Sequence, residues 1–228
     1  MTAGSSNPLI SELLRSHPRI EPVSSSHPGI EFGQRSVARS TTEVGGLIEL
    51  IDNNPLVCAT DAWVPSPAGT LALLALGPIS EAGLLIEAPA VLTSFPDADQ
   101  TLIERELLSA SWDAGIMLQT ENHDLGSVRG AYVVAKIRNP DNFDDLDEIY
   151  RDRYARSFFV RERGDAEWTK ELVADTPFAY YYLELSPGES ESLLSIHVMA
   201  DINGKLGAAQ YVHMMNVMCG FEESLGIL

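Results

Sequence analysis

GKLGAAQYVHMMNVMCGFEESLGIL, residues 204–228, is the stretch around which the chain is organised. Leu206, Ala209, Val212, Met215 and Met218 recur at steps of three, and Ala208, Tyr211 and Val217 fill the neighbouring row. That spacing lays apolar side chains along one face of a helix. Gly220 ends it, because a residue without a Cβ closes a helix at least cost. By pattern alone this is a C-terminal core helix.

From Asn203 to Ile227 the same stretch resembles the terminal helix of the N-acetyl-gamma-glutamyl-phosphate reductases, which reduce an acyl phosphate to an aldehyde with NADPH. Lys205, Ala208, Gln210, Val212, Met215, Asn216, Met218, Gly220 and Phe221 match that family's pattern without a gap. The resemblance implies an α/β fold, with a mixed, largely antiparallel sheet carrying helices mainly on one face and a vestigial fragment of a Rossmann domain before it. It implies a remnant of the dinucleotide-binding domain and a connector over residues 1–54, and a catalytic and dimerisation domain over residues 55–228. Such sheets associate face to face in the family, so a homodimer is the expected assembly.

The net charge of −18 and the presence of only three lysines, Lys136, Lys170 and Lys205, argue against polyanionic partners, so neither nucleic acid nor an anionic membrane surface is expected. Two isolated cysteines, Cys58 and Cys219, read as buried thiols in a reducing compartment rather than a disulfide framework. No run approaches the roughly 18 apolar residues of a membrane span, and no basic-then-apolar signal opens the chain. The expected location is the cytoplasm.

Near the N-terminus, Leu9, Leu13 and Leu14 give a short amphipathic helix, Pro18 stops it, and Ile20 to Val23 form a strand. Gly4, Ser6, Leu13, Leu14, His17, Pro18 and Ser24 to Ser26 match the family's opening, where a glycine-rich turn cradles the dinucleotide. Such a cradle needs a strand feeding a turn whose glycines let the backbone approach the pyrophosphate. Here only Met1 to Ala3 precede Gly4, and Asn7 and Ile10 stand where the second and third glycines belong. The first strand therefore reads as absent and no cofactor is expected. From Ile30 to Glu49 the composition shifts to Ser, Thr, Arg and Gly, a connector leading to a short helix around residues 44–51.

Pro55 to Thr60 reads as a buried strand and Thr70 to Ala82 as an interior helix, apolar on most sides. The second segment resembles the family's helix that begins with its nucleophilic cysteine. Counted back from Pro78 without gaps, Pro65 and Ser66 match the family's proline and glycine, and Pro67 takes the cysteine's place. Proline cannot form the thioester that accepts hydride. A competing register starts at Asn54 and Pro55 and makes Cys58 the nucleophile, at the cost of an insertion before the helix; the alternative for Cys58 is a packed strand residue. The family's phosphate loop and acid–base histidine have no counterpart between Gly83 and the helix over residues 100–110, and Met214 replaces an asparagine that lies near the nicotinamide in the family.

Strands are expected over residues 115–119 and 127–137, a helix over 144–155, a strand over 158–161, and a hairpin over 178–200 turning at Ser186 to Glu189. The segment ENHDLGSVRG, residues 121–130, is similar to a family segment that faces the active site, with His123, Leu125, Arg129 and Gly130 in place. It brings two charges and a group titrating near neutrality within nine residues. His123 is accordingly the candidate acid–base residue, Glu121 its orienting partner, and Arg129 the group holding a substrate carboxylate. Gln210, Asn216 and Asp201 complete the candidate substrate-binding set, while His197 reads as a sheet-face histidine and no metal site is expected.

Three functional readings stand. The preferred one is a reductase-derived enzyme that has lost NAD(P)-dependent reduction and acts without a cofactor on an amino-acid-derived small molecule, by elimination, cyclisation or hydrolysis. The second is a catalytically inactive pseudoenzyme serving association or regulation. The third is an NADP-dependent acyl-phosphate reductase using Cys58.

Overall fold

A computed structural model describes residues 1–39, 42–123, 125–140, 142, 144–164 and 168–228. In chain order the elements are β1 (Thr2–Gly4), α1 (Pro8–Ser16), β2 (Glu21–Val23), β3 (Ile30–Phe32), β4 (Arg35–Ala38), α2 (Asn53–Cys58), β5 (Asp61–Trp63), α3 (Pro67–Glu81), β6 (Ala90–Thr93), α4 (Gln100–Leu107), β7 (Met117–Thr120), β8 (Val128–Arg138), α5 (Asp144–Tyr154), β9 (Val160–Glu162), β10 (Ala179–Ser186), β11 (Glu191–Asp201) and α6 (Ala209–Cys219). Short 3-10 turns cover Ile48–Leu50, Leu108–Ala110 and Lys170–Leu172.

Alternation in β8 and β11 decides the larger sheet, ordered β7-β6-β8-β11-β10-β9. The two strands pair antiparallel from Val128↔Asp201 to Arg138↔Glu191, which turns Val133, Ala135, Ile137, Leu194, Ile196 and Val198 to one face. Against that face packs α3, buried from Gly69 to Ser80, with α4 and α5 packed on α3. The sheet is mixed and mainly antiparallel, as the sequence implies: β6 pairs β7 and β10 pairs β9 in parallel, and the remaining pairs are antiparallel.

Pro78 stands inside α3 and removes the N–H that would bond the Leu74 carbonyl one turn back. Two phenols from α5 reach this part of the helix: Tyr154 Oη donates to Leu74 O at 2.9 Å and Tyr150 Oη donates to Ala75 O at 2.5 Å. Burial drives both phenol pKa values well above their ordinary range, so both remain donors.

The smaller sheet runs β2-β1-β3-β4-β5. Its first strand, which the sequence reading treats as absent, is formed: β1 pairs β2 in parallel through the α1 crossover, and Glu21 N donates to Met1 O at 2.8 Å. Three residues are enough because β1 is flanked on both sides, with β3 antiparallel on the other edge. The expected connector holds a hairpin, β3 to β4, whose two-residue turn uses Gly33 at φ 60°. The expected strand at Pro55 to Thr60 is instead the end of α2, because a proline in the first turn of a helix forfeits only an N–H that would be unbonded there. Cys58 is thereby exposed at the helix end rather than packed, while burial raises the pKa of half-buried Cys219. Brief alkylation of the native protein should label Cys58 first, with Cys219 following only on denaturation; mass mapping that finds Cys219 labelled first contradicts this placement.

α6 does not pack with the large sheet. After a π-type turn over Gly204–Ala208, its side chains from Ala209 to Met218 are buried, and Val212, Met214, Met215 and Met218 join Ala3, Ile10, Leu14, Ile30, Phe32, Val37 and Val64 in the core of the small sheet. The helix ends at Gly220 with φ 65°, the left-handed cap expected from the sequence. Among the described residues no helix is long and apolar enough to cross a membrane.

Candidate functional site

The loop from β7 to β8 has to turn back over the sheet, and its backbone is fixed at both ends. Glu121 N donates to Thr93 O at 2.8 Å, Val128 N donates to Leu125 O at 3.3 Å, and Gly126 takes φ 67°. This holds Glu121 and His123 over a cavity of about 230 Å³ whose lining includes Ser94, Tyr132, Trp168 and His197. His123 Nε2 lies 2.5 Å from Glu121 Oε2, and His123 Nδ1 has no partner among the described residues. With Glu121 ionised, Nε2 carries the proton toward it and Nδ1 is left as the nitrogen that can take up or deliver one.

His197 faces the same cavity from β11. Its ring lies 4.5 Å from that of Tyr132 and 6.1 Å from that of Trp168, and burial lowers its pKa against an opposing pull from Glu184. The sequence reading takes His197 only as a sheet-face residue. What brings it beside His123 is the register Tyr132↔His197, a pairing across 65 positions that no local pattern shows.

Arg129 supports the loop: its Nη1 donates to Gly126 O and to Val128 O, both at 2.7 Å, and its guanidinium sits 5.6 Å from the Phe95 ring centre. Arg129, Gln210, Asn216 and Asp201, expected to bind substrate, all lie outside the lining of this cavity. Gln210 Nε2 donates to Thr70 Oγ1 and to Lys205 O, both at 2.9 Å. Asn216 joins His17 Nε2 at 2.9 Å through Oδ1 and donates through Nδ2 to Glu223 O and Leu225 O. Asp201 accepts from Ser127 Oγ and Asp175 N on one oxygen and from Asn203 N and Gly204 N on the other.

Ser66 caps the start of α3, one residue before Pro67, which takes the place the resemblance gives to a thiolate. Ser66 Oγ accepts from Gly69 N at 3.1 Å and donates to Glu106 Oε2 at 2.8 Å, while Ser66 N donates to Glu106 Oε1 at 2.7 Å. Glu106 is 1% exposed, and burial raises its pKa against those two hydrogen bonds. No thiol occupies this helix start.

In the family that the chain resembles, the turn between β1 and α1 cradles a dinucleotide; here its polar groups are bonded within the chain. Asn7 Oδ1 accepts from Leu9 N and Ile10 N, Ser5 Oγ accepts from Asn7 N, and His27 O accepts from Ser6 N. The donors a pyrophosphate would need are bonded within the chain, so this turn does not fit that group.

No protein-family profile matches the chain. It is 25% identical over 222 residues to an N-acetyl-gamma-glutamyl-phosphate reductase of Bacillus cereus, an alignment covering 86% of this chain and 61% of the relative. It is 26% identical over 232 residues to N-acetyl-gamma-glutamyl-phosphate reductase 1 of a Nostoc species, covering 87% of this chain and 64% of the relative. The chain thus spans less than two thirds of the length of these relatives. In three dimensions it is similar to aspartate semialdehyde dehydrogenase II of Vibrio cholerae, with a TM-score of 0.59 at 13% identity over 77% of this chain and 67% of that one. These relatives are enzymes. They also overturn the expectation of a chain that has lost reduction: proteins matching most of its length are named as reductases, and no finding shows that activity to be gone. By sequence the chain is a distant homologue of the N-acetyl-gamma-glutamyl-phosphate reductases, and by fold it stands with the aspartate semialdehyde dehydrogenases.

Proposed function

We propose that the chain is an enzyme of the reductase class of its relatives, acting on an amino-acid-derived small molecule that carries an acyl or carbonyl group. The observation that supports this reading is the Glu121–His123 pair, an imidazole oriented through Nε2 by a carboxylate, with no partner for Nδ1 among the described residues, beside a cavity. When a carbonyl is reduced, its oxygen gains negative charge and needs a proton. Protonated His123 delivers it from Nδ1, and Glu121 stabilises the imidazolium that precedes transfer. His197, whose pKa burial lowers, adds an uncharged wall that keeps the His123 proton directed to the substrate. Arg129 precedes Gly130 of the cavity wall and supplies the positive charge nearest the pair in sequence. In this class the hydride comes from a nicotinamide dinucleotide; because the β1–α1 turn does not fit one, no residue here is assigned to holding it. Two copies associating as a homodimer belong to the same reading.

The test mixes the purified protein with NADPH or NADH and a panel of acylated amino-acid phosphates and semialdehydes, following nicotinamide absorbance and product mass. Turnover with one panel member, reduced about a hundredfold in kcat by His123→Gln, is the expected result. Unchanged absorbance with every member, in a protein shown to be folded, rejects the proposal.

A further inference from the structure

Charge and ring chemistry restrict what the His123 cavity can hold, and the restriction rests on the reading of this cavity as the reductase site. Beyond the Glu121–His123 pair its wall is mainly apolar, with Leu92, Leu125, Tyr132, Trp168 and Met199 among the residues that form it. Tyr132 and Met199 alternate along β8 and β11 with residues turned to α3, so the cavity opens on the opposite face of the large sheet. Tyr132 and Trp168 both approach the His197 ring, at 4.5 and 6.1 Å between centroids. Tyr132 is held in place by its own hydroxyl, which donates to Ser195 Oγ at 3.1 Å.

Positive charge is missing from this wall. Among the described residues, the lining contains neither lysine nor arginine, and its one carboxylate is Glu121. Any proton that makes His123 cationic is matched by Glu121 at 2.5 Å, so the pair adds no net positive charge. Burial holds His197 toward its neutral form against the pull of Glu184. Arg129 lies outside the lining, its Nη1 bonded to Gly126 O and Val128 O. In the sequence, the residues next to His123 and Trp168 are Asp124, Asp165, Ala166 and Glu167, which add no basic group. A phosphate or carboxylate placed here gives up its water with no cation to answer it.

We infer that the substrate of this cavity is a small uncharged aldehyde or ketone with an apolar body, that Tyr132 and Trp168 select it, and that acyl phosphates are excluded. The two side chains bury the body of such a molecule and favour an aromatic one, which leaves its carbonyl oxygen to His123 Nδ1. The volume, about 230 Å³, lies below the usual range of ligand pockets and suits one ring with a short carbonyl arm. The names of the relatives specify a glutamyl phosphate, a charge that this lining does not answer.

The experiment is calorimetric titration of the full chain, without nucleotide, with two aromatic ketones: benzylacetone, which is uncharged, and phenacylphosphonate, which adds an anionic phosphonate. Benzylacetone should bind saturably, and phenacylphosphonate about tenfold more weakly or less. Trp168→Leu and Tyr132→Leu should each weaken benzylacetone about fivefold. Trp168 is half-buried outside any helix or strand and Tyr132 is 36% exposed, so neither replacement opens the core, and thermal melting checks that each variant is folded. Absence of saturable benzylacetone binding, phenacylphosphonate binding as tight as benzylacetone, or benzylacetone binding unchanged in either folded variant overturns the inference. The outcomes separate from those of the reductase test. Benzylacetone bound as expected, with no panel member reduced, upholds this inference and rejects reduction; turnover of an acyl phosphate overturns this inference and upholds reduction.

Discussion

Lys205→Met is expected to lower stability by about 3–5 kcal/mol, read as a fall in the denaturant midpoint at unchanged slope. Lys205 and Glu49 are 1% and 3% exposed and 2.6 Å apart, so removing the ammonium leaves a carboxylate charged and unpaired inside the protein. The sign of the pH dependence separates this from lost packing. In the unaltered protein, burial pushes the Glu49 pKa up, and Lys205 and His213 pull it below its ordinary value. A group whose folded pKa is depressed contributes fully above its unfolded value, about 4.3, and loses that contribution as pH falls through the folded one. Without Lys205 burial dominates, the Glu49 pKa rises, and the carboxyl escapes its penalty by taking up a proton. The deficit of Lys205→Met should therefore shrink as pH falls, and Glu49→Gln in the same chain should recover part of it at neutral pH. A deficit that stays constant on acidification would show that packing of the lysine stem, not charge, is what the variant loses.

Replacing both α5 phenols, Tyr150→Phe with Tyr154→Phe, should cost about 1.5–4.5 kcal/mol: about 1–3 for Leu74 O, whose helical donor Pro78 lacks, and about 0.5–1.5 for Ala75 O, which keeps the Ile79 N–H of the helix. The aromatic packing is preserved, since the Tyr150 ring still stacks on Tyr181 with centroids 5.5 Å apart. What disappears is the donor at Leu74 O and the donor at Ala75 O. Pro78→Ala discriminates between the two. It restores the N–H one turn beyond Leu74, so the Tyr154→Phe part of the loss should fall in that background while the Tyr150→Phe part stays. Equal losses in both backgrounds would mean that Tyr154 acts by packing alone.

What the sequence showed and what it concealed divide by distance along the chain. The terminal helix, α3 and the strands β8 and β11 each carry their own period, so a local reading finds them, though not the pairing between the two strands. Pro55 misled because a proline inside an apolar run is compatible both with a strand edge and with the first turn of a helix, and in α2 it stands in that first turn. The strand β1 was hidden because its support comes from β2 and β3 rather than from its own three residues. At the candidate site, Glu121 and His123 were legible as neighbours in one loop. His197 was not, because strand register alone brings it there, and neither was the Glu49–Lys205 pair, joined across 156 positions. Cys58 attracted attention by its chemistry, yet its exposure at the end of α2 follows from a helix that its own segment does not announce.

The placement of α6 has a consequence for the order in which this protein can be made. A nascent chain that has emerged as far as Asp201 already contains every strand of both sheets among the described residues, yet lacks the helix that fills the small sheet's core. Until residues 208–218 leave the ribosome, Ile10, Leu14, Ile30, Phe32 and Val37 have no covering layer. The small sheet, made before α6, thus completes its core only after α6 has emerged, and until then its apolar face is open to aggregation.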